Sequence, residues 1–345
     1  MKKRVSITDI ANALSISPTT VSFILNGKAR EKRISAELVA KVEKYIAEVG
    51  YKPNSLARSL RTGKTHIIGL LVESISNPFF ATIARRIEEL AYKNGYKIIY
   101  ASTDNDTIKT KELIKMFRER HIDGYIISPP EGIEDDVNSL IHAGVPVVFF
   151  DRYLPDITVD TVTIDNPASS YNAVNYLIGT GCKEIGFVTL DSPQTQMEDR
   201  LHGYELAIEE AGLVSNVRQI GFKESPENIV RDISAFLKGN ASLDAIFFAT
   251  NYLAISGLKA LRALEIDIPG ELSVIAFDDH ELFQLHQPSI TTVYQPVNEI
   301  SDQVINILLN KMKSGTKPKK EQNLVLAAEM IIRDSTNTIL VATDL

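Results

Sequence analysis

The chain has 345 residues, 44% of them apolar, a formal net charge of −7 and a single cysteine, so it is long enough for two or three cores but holds no intrachain disulfide and no cysteine-based metal cluster. No apolar run approaches the ~20 residues of a membrane span. Asp9 and Asn12 interrupt the start MKKRVSITDIANAL where a secretory signal needs an apolar stretch, so a cytoplasmic protein is expected. The charge is uneven: residues 1–64 hold 13 Lys/Arg against 5 Asp/Glu, a balance of +8, while the other 281 hold 24 against 39, a balance of −15. A polyanion is drawn to the first part and repelled by the second, unless the basic part is merely a solvated surface.

Ser6 and Asp9 have the spacing of a capping box, and Ile10, Ala11 and Leu14 supply one face of a first short helix. Ser15-Ile16 is the turn. A second helix follows in SPTTVSFILNG: Ser17 is a good N-cap, Pro18 has the φ of a first helical position, and Asn26-Gly27 stops it. Val21, Ile24 and Leu25 form its apolar stripe, which leaves Thr19, Thr20, Ser22 and Phe23 pointing elsewhere. A third helix begins at Ser35, with Leu38, Val39, Val42, Tyr45, Ile46 and Val49 at helical spacing, and Gly50 ends it. Two helices joined by so brief a turn, the second offering small polar side chains, predict a helix-turn-helix whose second helix fits a major groove. Thr and Ser let the backbone approach and bond phosphates or base edges.

The next stretch, YKPNSLARSLRTGKT, is less ordinary. Asn54 can cap a helix from Ser55 to about Arg61, but one too short to persist alone. Leu56 and Leu60 share its apolar face beside Arg58, Arg61 and Lys64. In a dimer, Leu56 packs on its partner and Leu60 enters a base step as a wedge, with the cations on phosphates; the alternative is a flexible linker with incidental leucines.

These motifs, followed by HIIGLLVESISNPFF and, near residue 336, by MIIRDST, resemble bacterial repressors of the lactose-repressor (LacI/GalR) family along nearly the whole chain. The resemblance implies DNA contacts from Ser6, Pro18, Thr19, Thr20, Ser22, Phe23 and Asn26 in the headpiece, and from Asn54, Leu56, Ala57, Arg58, Leu60 and Arg61 in a hinge that folds on a palindromic operator. Phe23 stands where many relatives have Arg, His or another hydrogen-bonding residue, so no operator sequence carries over.

From His66 onward, β-branched runs (HIIGLLVES, KIIYAST, GYIISPP, PVVFFD, EIGFVTL, AIFFAT, LSVIAFDD) alternate with helical segments such as Ile83 to Tyr92. They predict parallel sheets built from βαβ units in two lobes, with a break near ITVDTVTIDN. Ligands of such sheets bind at the carboxyl ends of the strands, here in a cleft between lobes. Asp151 closes PVVFFD, Asn251 follows AIFFAT, Asp278 closes VIAF, and Arg200 is placed at the start of the helix after TLDSPQTQMED. A carboxylate, an amide and a guanidinium together suit several hydroxyls, as a sugar requires; singly, each is as well explained by a cap, a turn or a surface ion pair. The resemblance implies effector contacts at Asp151, Arg200, Asn251 and Asp278, a first-lobe cleft loop at Asn77, Pro78, Phe79 and Phe80, and an aromatic platform at Phe222. Tyr252 departs from the Asn-Asp pair common at this point of the family.

No phosphate-binding glycine motif, H-E-x-x-H pair or cysteine beside a histidine is present, and the six histidines do not cluster. The reading is therefore an α-helical helix-turn-helix headpiece with a two-lobed α/β, periplasmic-binding-protein-like effector domain, not an enzyme and needing no cofactor or metal. The expected boundaries are 1–52 for the headpiece, 53–65 for the hinge, 66–161 plus 292–322 for the first lobe, and 162–291 plus 323–340 for the second. The expected function is a homodimeric repressor of carbohydrate-use genes. Alternatives are a purine-type corepressor system and a solute-binding protein, the latter opposed by the basic headpiece.

Overall fold

The computed structural model describes residues 5–51, 63–314 and 321–337. The chain divides into two compact units, Met1–Thr65 and His66–Leu345.

In the first unit, α1 (Ile7–Leu14), α2 (Pro18–Leu25) and α3 (Ala36–Glu48) bury Ile10, Ala11, Val21, Ile24 and Val42 in one small core. Its helix starts are written in side-chain bonds. The Ser6 amide donates to Asp9 Oδ2 at 2.8 Å while the Asp9 amide donates to Ser6 Oγ at 3.2 Å, completing the capping box. Ser17 and Ser35 cap α2 and α3 in the same way. The turn before α2 closes through Ser15, whose φ of 55° ends α1 in the left-handed region.

The second unit contains two six-stranded sheets. The first lobe runs β1 (Ile67–Val72), α4 (Pro78–Lys93), β2 (Lys97–Ser102), α5 (Thr107–Glu119), β3 (Gly124–Ile127), α6 (Glu134–His142), β4 (Val147–Phe150) and β5 (Asp160–Ile164). The second runs α7 (Asn166–Gly179), β6 (Ile185–Asp191), α8 (Thr195–Glu210), β7 (Asn216–Gly221), α9 (Pro226–Gly239), β8 (Ala245–Phe248), α10 (Asn251–Ala263), β9 (Ser273–Phe277), α11 (Glu281–Leu285) and β10 (Thr291–Tyr294). The chain then returns with α12 (Val297–Ser314) and β11 (Asn323–Leu326) and ends its strands with β12 (Glu329–Ile331). The sheet orders are β11-β5-β4-β3-β1-β2 and β12-β10-β9-β8-β6-β7. Every pairing is parallel except β10 with β12, an antiparallel edge of three residue pairs. Strands β3, β4, β8 and β9 are buried along their whole length, which is why they read as unbroken apolar runs.

Three boundaries differ from the sequence reading. Strand β5 keeps residues 162–164 in the first sheet, β10 holds residues 292–294 in the second, and β11 belongs to the first sheet, not the second. The chain crosses between lobes only where a strand has ended, because a strand leaving its sheet midway gives up its ladder bonds; hydropathy does not mark which sheet holds a given strand. Strand β7, NVRQIG, lies outside the predicted strands because it is an edge with little apolar content.

Candidate functional site

Two places bear on function, one in each unit. On α2, Val21 and Ile24 face the headpiece core, while Pro18, Thr19 and Asn26 are exposed and Thr20, Ser22 and Phe23 are half-buried. Two of the polar groups are held in place. Thr20 Oγ1 lies 2.8 Å from Ser17 Oγ, and Asn26 Nδ2 donates to the Ser22 carbonyl at 2.6 Å. Phe23 carries the Lys32 ammonium 5.4 Å from its ring centroid, a cation–π contact that sets a positive charge beside an apolar face. Asn54, Leu56, Ala57, Arg58, Leu60 and Arg61 lie outside the described residues.

In the effector unit, the strand ends of the two sheets converge. Asp151 follows β4 and Asp278 follows β9, and both have left-handed backbones, φ 70° and 67°. Asp tolerates this region better than most residues, yet it carries strain that accumulates at functional positions. Both are buried, and both line a cavity of about 30 Å³ with Asn77, Phe79, Arg200 and Tyr252. A larger groove of about 710 Å³ shares Phe79 and Asp278 with it.

The first-lobe wall is an ion network. Arg152, 1% exposed, donates to Asp151 Oδ2 at 3.0 Å, to Asn105 Oδ1 at 2.8 Å and to Glu73 Oε2 at 2.6 Å. Burial opposes its charge, but Asp151 and Glu73 outweigh burial and hold the guanidinium above its ordinary pKa. Ser128 adds a bond to Asp151 Oδ2 at 3.0 Å. On the second-lobe wall, Arg200 donates to Asn166 Oδ1 at 2.9 Å and to the Ala249 carbonyl at 2.7 Å, and its guanidinium lies 3.6 Å from the Phe277 centroid. With neutral partners only, burial pulls its pKa down, against the attraction of Asp278 and Asp151. Asp278 is pushed up by burial, while Arg200 and the 2.5 Å bond from Gln295 Nε2 act the other way. Burial also raises the Tyr252 phenol, keeping it a hydroxyl donor.

Two hydrogen-bonded bridges cross the cleft. Asn251 Nδ2 donates to Asn77 Oδ1 at 3.2 Å, and Thr195 Oγ1 accepts from the Tyr153 amide at 3.3 Å while donating to its carbonyl at 3.4 Å. A water needs roughly 10–15 Å³, so a sugar enters the 30 Å³ cavity only when the lobes move apart.

The profile "Bacterial regulatory proteins, lacI family" matches residues 6–54, and "Periplasmic binding protein-like domain" matches 174–336. The HTH-type transcriptional regulator RegA of Clostridium saccharobutylicum is 32% identical over 343 residues, spanning 96% of this chain and 99% of that one. The chain belongs to the lacI family of bacterial regulatory proteins. The Ribose operon repressor of Haemophilus influenzae is 28% identical over 332 residues, 96% of this chain and 98% of that one. The fold matches the Lac repressor dimer bound to operator and the anti-inducer ONPF with a TM-score of 0.85, at 20% identity over 97% of this chain and 100% of that one.

In this lacI-family regulator, Asn77, Phe79, Phe80, Asp151, Arg200 and Asp278 come together at the inner cavity. Asn251 joins them through Asn77, and Pro78 lines the outer groove. Phe222 does not join them: it is half-buried against the second-lobe core. The expected cleft loop at 77–80 is instead the start of α4, with Asn77 as N-cap accepting from the Phe79 amide at 3.0 Å and Pro78 in the first turn. Helix α8 likewise begins at Thr195, which puts Arg200 in its second turn, not at its start; its N-cap residue Gln194 makes no side-chain cap bond that would mark the boundary. Sequence reasoning missed Glu73, Arg152, Gln194 and Gln196. Glu73 and Arg152 lie just past β1 and β4, so the strand-end rule applied to every strand would have found both; the two glutamines carry no such signal. Among the described residues no group of His, Cys, Asp or Glu is arranged to hold a metal, and no helix is long and apolar enough to cross a membrane.

Proposed function

We propose that this regulator is a cytoplasmic homodimer that represses carbohydrate-use genes from a palindromic operator and is switched by a small sugar-like effector bound between its lobes, without cofactor and without turnover. The observation that carries the effector reading is the pair of left-handed aspartates, Asp151 and Asp278, aimed from opposite sheets at one cavity with Arg200. Carboxylates and a guanidinium accept from and donate to vicinal hydroxyls together. The DNA reading rests on α2, whose Thr19, Thr20, Ser22 and Phe23 are left by the core for a groove, with Leu60 as the minor-groove wedge. Exposed apolar side chains on edge strand β2 (Ile99, Tyr100) and on α11 (Leu282, Leu285) support self-association.

The test takes the full chain through selection on random double-stranded DNA, then measures affinity for the selected site with and without D-ribose, D-xylose, cellobiose and hypoxanthine. A palindromic consensus whose affinity falls with one of the sugars is expected. No enriched sequence defeats the DNA reading. A response confined to hypoxanthine, strengthening binding, replaces the sugar reading by the corepressor one.

A further inference from the structure

The polar atoms facing the inner cavity are unevenly divided between donors and acceptors. All three nitrogen positions of Arg152 are engaged within the first lobe, by Asp151, Asn105 and Glu73. Arg200 has used Nε and one terminal nitrogen on Asn166 and Ala249, leaving the other terminal nitrogen for a ligand. The acceptors are less committed. Asp151 bonds Ser128 and Arg152 through Oδ2 alone. Gln196, 4% exposed, holds its amide toward Gln194 (Nε2 to Oε1, 3.1 Å), and its own Oε1 is buried on the cavity wall with no partner among the described residues. Such an orphan acceptor is costly unless something donates to it. Three carboxylates (Glu73, Asp151, Asp278) against two guanidinium groups (Arg152, Arg200) leave the wall one negative charge in excess.

Resting on the effector reading above, we infer that the ligand is rich in hydroxyl or ammonium donors and carries no negative charge, so that the site takes a free sugar or amino sugar and rejects sugar phosphates and sugar acids, with Gln196 as a specificity-determining contact. A phosphate or carboxylate brings acceptors to a wall already short of donors and a fourth negative charge into a buried space. A hydroxyl supplies the proton that Gln196 Oε1 lacks. Thr250 and Tyr252, on the same wall, add hydroxyls that fit a polyol in either direction.

The experiment uses the full chain and sets that differ only in charge: D-ribose, D-ribose 5-phosphate and D-ribonate; and D-glucose, D-glucosamine, D-glucose 6-phosphate and D-gluconate. Calorimetric titration is expected to show binding of a neutral or amino member of at least one set, with its phosphate and acid counterparts weaker by about 100-fold or more, as like-charge burial requires. Gln196→Leu is expected to weaken that binding about tenfold, the loss of one hydrogen bond and its desolvated partner, while Gln196→Glu, which keeps the acceptor, retains it. Thermal melts of both variants separate loss of contact from loss of fold. The proposal is overturned if an acid or phosphate binds as well as its neutral counterpart, if a folded Gln196→Leu binds like wild type, or if no member of either set binds. In the last case, capture of a specific DNA sequence by the same preparation leaves the regulator reading standing.

Discussion

At the scale of single residues, Asp278 is held in a condition that its function needs and its fold resists. Burial raises its pKa, with Arg200 and Gln295 only partly opposing. The unfolded chain therefore ionises this group more readily than the folded one. Its contribution to stability is fully present below the ordinary carboxylate range and is lost as pH rises through the raised folded value. Asp278→Asn removes that loss, so the variant should melt near the wild-type temperature at pH 3.5 and above it at pH 7.5. The same change should abolish effector response, because the amide replaces an acceptor oxygen by a donor nitrogen. Melts across pH 3.5–7.5 with calorimetry decide it; a variant less stable than wild type at every pH shows that the attraction to Arg200 outweighs burial. Asp151 shares the left-handed backbone but has its charge paired directly with Arg152 at 3.0 Å, so the two aspartates differ in role despite like geometry.

At the scale of elements, most starts and stops are written locally, and the contacts between elements are not. The Ser6–Asp9 box, the Ser17 cap with Pro18 behind it and the Ser35 cap are all legible as residue types at fixed spacing. The start of α4 at Asn77-Pro78 carries the same grammar, yet its place in the cleft made it read as a loop. Close packing of α7 on α8 has no such mark. Gly203 on α8 sits so near α7 that a Cβ there would lie 2.2 Å from the Pro167 carbonyl oxygen and 3.0 Å from Ser170 Cβ. Backbone does not yield as a flexible side chain does. Gly203→Ala is therefore expected to destabilise the effector unit by about 1–3 kcal/mol, the range of overpacking, read as a lower urea midpoint with an unchanged m-value. Since α8 also carries Arg200 and Gln196, effector affinity should fall with it.

At the scale of the whole molecule, the switch is a matter of differential affinity. A ligand shifts operator binding only if it prefers one lobe arrangement, and a coupling of about 1–3 kcal/mol changes operator affinity about 5- to 150-fold. The closed arrangement is held by few direct bonds, among them Thr195 to Tyr153 at 3.3 Å and Asn251 to Asn77 at 3.2 Å. Thr195 does not line the inner cavity. Thr195→Val, which keeps the side-chain volume and removes the bridge, should weaken sugar binding about fivefold, corresponding to a net hydrogen bond of about 1 kcal/mol. Calorimetry of the variant with the sugar found for wild type measures it, and unchanged affinity would show that this bridge has no part in closure.

The sequence by itself determined what is local or cumulative: the charge division at residue 65, the capped helices of the headpiece, the buried strands and the aspartates at their ends. Caps and hydrophobic periodicity act over a few residues, so they survive as patterns in a linear chain. Only the tertiary structure decided which of the polar strand ends meet, that Arg152 is spent on Glu73 and Asn105, and that Gln196 is left without a donor. Those facts join residues 47 and 79 positions apart in the first two cases. Such contacts are set by the crossing of the chain between two sheets, and neither partner's neighbours in sequence carry any trace of the other.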